Sequence, residues 1–82
     1  MITKSTPVAN LFNEAVGTLS DLEPGETFVV SNLFRGFEWE RIEVSNRAIL
    51  GSMFFRYVNN DGSEIVTPLD KSSEGQQRYE KN

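Results

Sequence analysis

Between Ser45 and Asn59 the large apolar residues Ile49, Leu50, Met53, Phe54, Tyr57 and Val58 recur at the spacing of one helix face. An extended strand would scatter them over both of its sides. The segment therefore predicts a helix over Asn46–Asn59, with Ser45 as its cap and Asn59-Asn60-Asp61-Gly62 as its stop. The opposite half of that helix carries Ala48, Gly51, Ser52, Phe55 and Arg56, a run of small residues that ends in an aromatic. A mid-helix glycine costs about 1 kcal/mol relative to alanine. Close packing or contact is expected to compensate at Gly51.

The rest of the chain is read around this helix. Pro7 suits a first helical turn, and Val8, Leu11, Phe12, Ala15, Val16 and Leu19 form an apolar stripe, which predicts a first helix over Pro7–Leu19. Glu23-Pro24-Gly25-Glu26 has Pro and Gly in the order of a type II turn. Thr27–Val30 is a short β-branched and aromatic strand. A broken second helix is expected from Leu33-Phe34, capped by Ser31 or Asn32, interrupted at Arg35-Gly36-Phe37 and resumed from Trp39 to Ile42. Ile65-Val66-Thr67 predicts a second strand and Gln76–Lys81 a third, with Tyr79 inward and the polar loop Leu69–Gly75 between them. The expected core joins Phe28, Trp39 and Ile65 to Leu50, Phe54 and Val58.

This order, helix, strand, helix, helix, strand, loop, strand, predicts an α+β fold. It is winged helix-turn-helix-like, with three helices and a small antiparallel sheet whose last hairpin is the wing. The same short elements can also assemble as an α+β sandwich. Eighty-two residues make one domain, with residues 1–6 expected to be mobile and 7–82 to carry the fold.

Composition removes several kinds of chemistry. The chain has no cysteine and no histidine, so disulfides, thiolate metal sites and the commonest general base are all missing. It offers no Gly-x-Ser-x-Gly elbow, no Ser-x-x-Lys and no Gly-rich phosphate loop. Glu38, Glu40 and Glu43 read as a solvated acidic face, and Asp61 with Glu64 lacks the alternating oxygen ligands of a calcium loop. The expectation is a non-enzyme with no catalytic residues, cofactor, metal or small-molecule substrate. No apolar run approaches the roughly 20 residues that span a bilayer, and no secretory signal opens the chain, so the host cytoplasm is expected.

The stretch from Leu22 to Tyr79 resembles a family of small uncharacterised proteins from Gram-positive bacteria and their phages. The likeness rests on Gly25-Glu26-Thr27-Phe28, on Leu33-Phe34 with Trp39 and Ile42, on Arg47 with Leu50-Gly51 and Phe54, and on Arg78-Tyr79-Glu80-Lys81. It implies a winged-helix-like fold and no reaction.

Charge limits where a partner can bind. The formal charge is −4, and all of it falls in Met1–Glu43, where seven acids face three bases. From Val44 onward five acids meet five bases. A surface that tolerates phosphate is therefore expected in the second half. Asn46, Ser52, Phe55 and Arg56 on the third helix, with Lys71, Arg78 and Lys81 on the wing, are the candidate contact residues for DNA or a partner. Arg47 is read as structural, paired to Glu40 or Glu43. The leading expectation is a DNA-associated regulatory or accessory protein of bacterial or phage origin. The alternative is a protein-binding winged helix that uses the Phe55 stripe for self-association, or as a phage-type inhibitor of a host protein.

Overall fold

The computed structural model describes all residues, Met1–Asn82. Helix α1 (Val8–Thr18) runs into a 3₁₀ turn at Leu19–Asp21, followed by strand β1 (Thr27–Phe28) and a second 3₁₀ turn at Val30–Leu33. Helices α2 (Gly36–Arg41) and α3 (Val44–Val58) come next, then strands β2 (Val66–Pro68) and β3 (Tyr79–Lys81). The sheet is antiparallel in the order β1-β3-β2, with Phe28 and Pro68 both opposite Tyr79. The α+β class and the three helices with a small antiparallel sheet are as the sequence predicts.

Local chemistry accounts for the elements. Gly25 takes a positive φ of 92° in the Pro24-Gly25 turn, the geometry that a type II turn needs. Gly62 has a different role, since its φ is not positive. A Cβ there would run into the Tyr57 ring, so any side chain at this point would have to push that ring aside. Asn32 accepts the Val29 N–H at 2.9 Å from inside the second 3₁₀ turn, whose N-cap is Val29, so neither Ser31 nor Asn32 is the N-cap of a helix that begins at Leu33.

α3 is the centre of the core. Phe54 and Val58 pack with Ala15, Leu19, Phe28, Leu33, Val66 and Tyr79 in the larger cluster, while Leu50 joins Ile2, Leu11 and Ile42 in a smaller one. The Phe54 ring meets Tyr79 edge-on at 5.0 Å, and Phe28 stacks on Tyr79 at 5.6 Å.

Several expectations are corrected. The broken second helix is a 3₁₀ turn followed by a separate α2 at Gly36–Arg41, because the extended Phe34 and Arg35 between them end one turn and open the next. α3 begins at Val44 after Glu43, with no side-chain cap bond, so Ser45 lies inside the first turn. Ile49 is about half exposed on the flank of α3. Ile65 is 39% exposed, and the inward residue of β2 is its neighbour Val66. Side chains of a strand alternate, so a one-residue error in reading it exchanges inside for outside. Trp39 is only half-buried and packs at the edge of the smaller cluster.

The N-terminal segment meets the fold at Ile2. Ile2 is 2% exposed; its N–H donates to Glu38 Oε2 at 3.1 Å, and Arg41 Nη1 donates to its carbonyl at 2.8 Å. An apolar side chain and a matched pair of charge-assisted bonds hold this residue.

Burial pushes the Tyr79 hydroxyl from its usual 10.0 up to about 12. The folded state thus favours the neutral phenol. That contribution is fully present below pH 10 and is lost as pH rises through about 12, because only the unfolded chain releases the proton in between. The expected loss is roughly 2–3 kcal/mol. Denaturant melts between those pH values should show it, and Tyr79→Phe should lack this component. An unchanged alkaline profile in Tyr79→Phe would contradict the assignment.

Candidate functional site

The side of α3 turned away from the core has a neighbour in the loop between β2 and β3, and the two flank an open cleft of about 1000 Å³. Val44, Arg47, Ala48, Gly51, Ser52, Phe55 and Arg56 line it from α3, and Lys71, Gly75, Gln76 and Gln77 from the loop. Val29, Val30, Ser31, Trp39 and Tyr79 complete its lining.

The loop is shaped by its own hydrogen bonds. Ser72 N–H donates to the Gln76 carbonyl at 2.8 Å and Gly75 N–H returns to the Ser72 carbonyl at 2.9 Å, with Gly75 at a φ of 84°. Gln77 Nε2 donates to the Leu69 and Arg78 carbonyls and ties the base of the loop together. These bonds set the wall that carries Lys71 against α3.

Three cations line the cleft, Arg47, Arg56 and Lys71, and no carboxylate does. A second concavity, of about 580 Å³, reverses this balance: Glu14, Asp21 and Glu38 line it with Arg35 and Met1. The chain is acidic in sum and basic in one place. The cleft also has an apolar strip. Phe55 is 46% exposed and Val44 more so, between the small residues Ala48, Gly51 and Ser52.

Gly51 has no packing explanation within the chain. A Cβ built on it would meet nothing within 4 Å. The close packing that its helix penalty suggests is not supplied by the protein itself, and the space in front of it is cleft.

Of the residues singled out from sequence, the structure brings Ser52, Phe55, Arg56 and Lys71 together. Asn46 falls on the other flank of α3 at about 100° per residue, and is outside the cleft. Arg78 and Lys81 are outside it too, and Lys81 Nζ donates to the Leu22 carbonyl at 3.1 Å, bracing the β1 turn. The pairing of Arg47 with Glu40 is present, at 3.9 Å. Yet Arg47 and Trp39 also line the cleft, which helix periodicity alone does not reveal. Gln76 and Gln77 reach it only through the fold of the loop, for which the sequence holds no periodic signal.

A family model for a domain of unknown function, DUF1413, matches residues 13–81. The chain belongs to the DUF1413 family. This agrees with the resemblance to a small uncharacterised family read from Gly25-Glu26-Thr27-Phe28 and the residues after it. No curated protein matches this DUF1413 chain. A solved structure described as SCCmec type IV LP1413, a nucleic acids binding protein, superposes on it with a TM-score of 0.72, covering 99% of this chain and 93% of the other at 16% sequence identity. That likeness establishes the fold. No group of three or more Asp or Glu is placed to hold a metal ion, and no helix is long and apolar enough to cross a membrane.

Proposed function

We propose that this DUF1413 domain is a nucleic-acid-binding accessory or regulatory protein, acting in the cytoplasm of a bacterial or phage-infected cell, with the cleft between α3 and the β2–β3 loop as its contact surface. The observation that carries this reading is a cleft with three cations and no carboxylate on a chain of net charge −4. Phosphate attraction dominates nucleic-acid affinity. An acidic protein that gathers cations without acids at one concave place has the local field for that attraction, while its remaining acids repel the backbone and fix the approach.

Shape supports the same reading. In a winged helix-turn-helix arrangement α3 is the helix that enters a groove, and the β2–β3 hairpin is the wing beside it. Ala48, Gly51 and Ser52 let a backbone approach α3 closely, and Phe55 offers an apolar contact for sugar or base. The neighbouring fold described as nucleic acids binding adds weight in the same direction.

A second reading rests on the exposed apolar residues Val44, Ile49 and Phe55, which also suit a protein partner or a second copy of the chain. The two are separated by anisotropy titrations of mixed-sequence DNA, in duplex and single-stranded form, over a range of salt. The nucleic-acid reading expects binding at low salt, with log K falling linearly with log salt at a slope of about −2 to −3 for two or three phosphate contacts. Absence of binding at low salt, with concentration-dependent sedimentation, would favour the second reading.

A further inference from the structure

Arg47 differs from the other two cations of the cleft. Arg56 and Lys71 make no ion pair, whereas Arg47 forms the one ion pair of the molecule, with Glu40. Its Nη2 donates to the Trp39 carbonyl at 3.0 Å, and its guanidinium lies 5.0 Å over the Trp39 ring. The ring in turn packs on Phe34 at 5.7 Å. The guanidinium is thus held against Trp39 in the lining of the cleft.

Its polar atoms are nevertheless not satisfied. The Glu40 carboxylate stands 3.9 Å from Nη2, beyond hydrogen-bond distance, and Glu40 is 79% exposed against 27% for Arg47. Nε is buried with no hydrogen-bond partner, the one such side-chain atom in the protein. Nε–H and an Nη2–H lie on the same edge of a guanidinium, the edge that grips an oxyanion with two donors. Here Nη2 gives one hydrogen bond to the Trp39 carbonyl and has a distant carboxylate beside it, while Nε has no acceptor at all. A buried donor without an acceptor is costly, and calls for an explanation.

We propose that Arg47 is a phosphate anchor of the cleft held in reserve by Glu40, which a nucleic-acid phosphate displaces. This rests on the nucleic-acid reading above. Glu40 is a weak, solvent-screened counter-ion in the free protein. A phosphate takes the place of the carboxylate beside Nη2 at shorter distance, and a second oxygen reaches Nε once the side chain turns to uncover it. Glu40 lowers affinity for every nucleic acid by competing at that edge, and so keeps the resting cleft from holding stray anions.

The test is a double-mutant cycle read by DNA affinity and its salt slope, with Glu23→Gln as a control of equal charge change at an exposed acid that does not line the cleft. Glu40→Gln should bind mixed-sequence DNA about two- to five-fold more tightly than wild type, beyond any gain in Glu23→Gln. Its slope should steepen by up to about 0.9, one recovered phosphate contact. Arg47→Met should bind more weakly with a flatter slope, and adding Glu40→Gln to it should give no more than the Glu23→Gln effect. Trp39 is the single tryptophan and lines the cleft, so its emission at saturating DNA should change more in wild type than in Arg47→Met. Equal gains from Glu40→Gln in both backgrounds, or a Glu40→Gln indistinguishable from Glu23→Gln, would overturn the proposal while leaving the cleft reading in place. Glu40 is exposed and makes only this contact, so that arm stands even if Arg47→Met folds poorly. Wild type that fails to bind at low salt would instead overturn the cleft reading, and this proposal with it.

Discussion

Phe54→Ala is expected to cost this domain on the order of 3–5 kcal/mol of stability. Phe54 is fully buried, and its ring is where three elements meet. It lies 5.0 Å from Tyr79 of β3, 6.3 Å from Phe28 of β1 and 6.2 Å from Tyr57 of its own helix. Removing it leaves a void that neither the sheet nor α1 can fill without breaking the strand register that Phe28 and Tyr79 share. Small domains have only about 5–15 kcal/mol in all. A thermal melt should therefore show a large fall in Tm or no cooperative transition. A melt close to wild type would mean that α3 does not present Phe54 to the core.

The next residue should behave in the opposite way. Phe55→Glu is expected to leave the melt within about 1 kcal/mol of wild type, since Phe55 is half exposed beside the loop and belongs to neither core cluster. It is also expected to weaken nucleic-acid binding by more than about ten-fold. The change removes an apolar contact and sets a carboxylate in a cleft that has none, close to Arg56 and Lys71. Circular dichroism reports the fold and anisotropy the binding. If Phe55→Glu unfolds the chain, Phe55 is structural and the contact surface lies elsewhere. Tight binding retained by a folded Phe55→Glu would remove Phe55 from the site.

The contrast between these two neighbours is legible in the sequence, because a 15-residue helix with three buried positions, Leu50, Phe54 and Val58, leaves Phe55 off that face. The Pro24-Gly25 turn is legible because Pro and Gly mark it locally, although its anchoring to the Lys81 carbonyl through the Gly25 N–H is not. Elsewhere the deciding contacts are distant in sequence. Ile2 is held by Glu38 and Arg41, more than 35 residues away, and no local pattern announces that partnership. Whether Ile65 or Val66 points inward depends on pairing with β3 through the Val66–Lys81 register, which two adjacent β-branched residues do not specify.

The candidate site is half legible for the same reason. Ser52, Phe55 and Arg56 follow from helix periodicity, and Lys71 from its place on the loop. Asn46, Arg78 and Lys81 satisfy the same search for polar and basic residues but lie outside the cleft. Arg47 is the instructive case. Its hydrogen bond to Trp39 and its ion pair with Glu40 make it structural, as its pairing suggests, and the hydrogen bond holds it in the lining of the cleft. A residue can brace two helices and still face a ligand, and sequence offers only the first of these roles.

The claim that the cleft is the nucleic-acid surface is tested most directly by the salt dependence of DNA binding in four single variants. Arg56→Ala and Lys71→Ala remove cations that line the cleft, and Arg78→Ala and Lys81→Ala remove cations that do not. All four change net charge equally, so a diffuse field would affect them alike. The account predicts that Arg56→Ala and Lys71→Ala each weaken binding and reduce the slope by about 0.9, one phosphate contact apiece, while Arg78→Ala and Lys81→Ala keep the wild-type slope. Equal loss of slope in all four, or loss only in Arg78→Ala and Lys81→Ala, would contradict it.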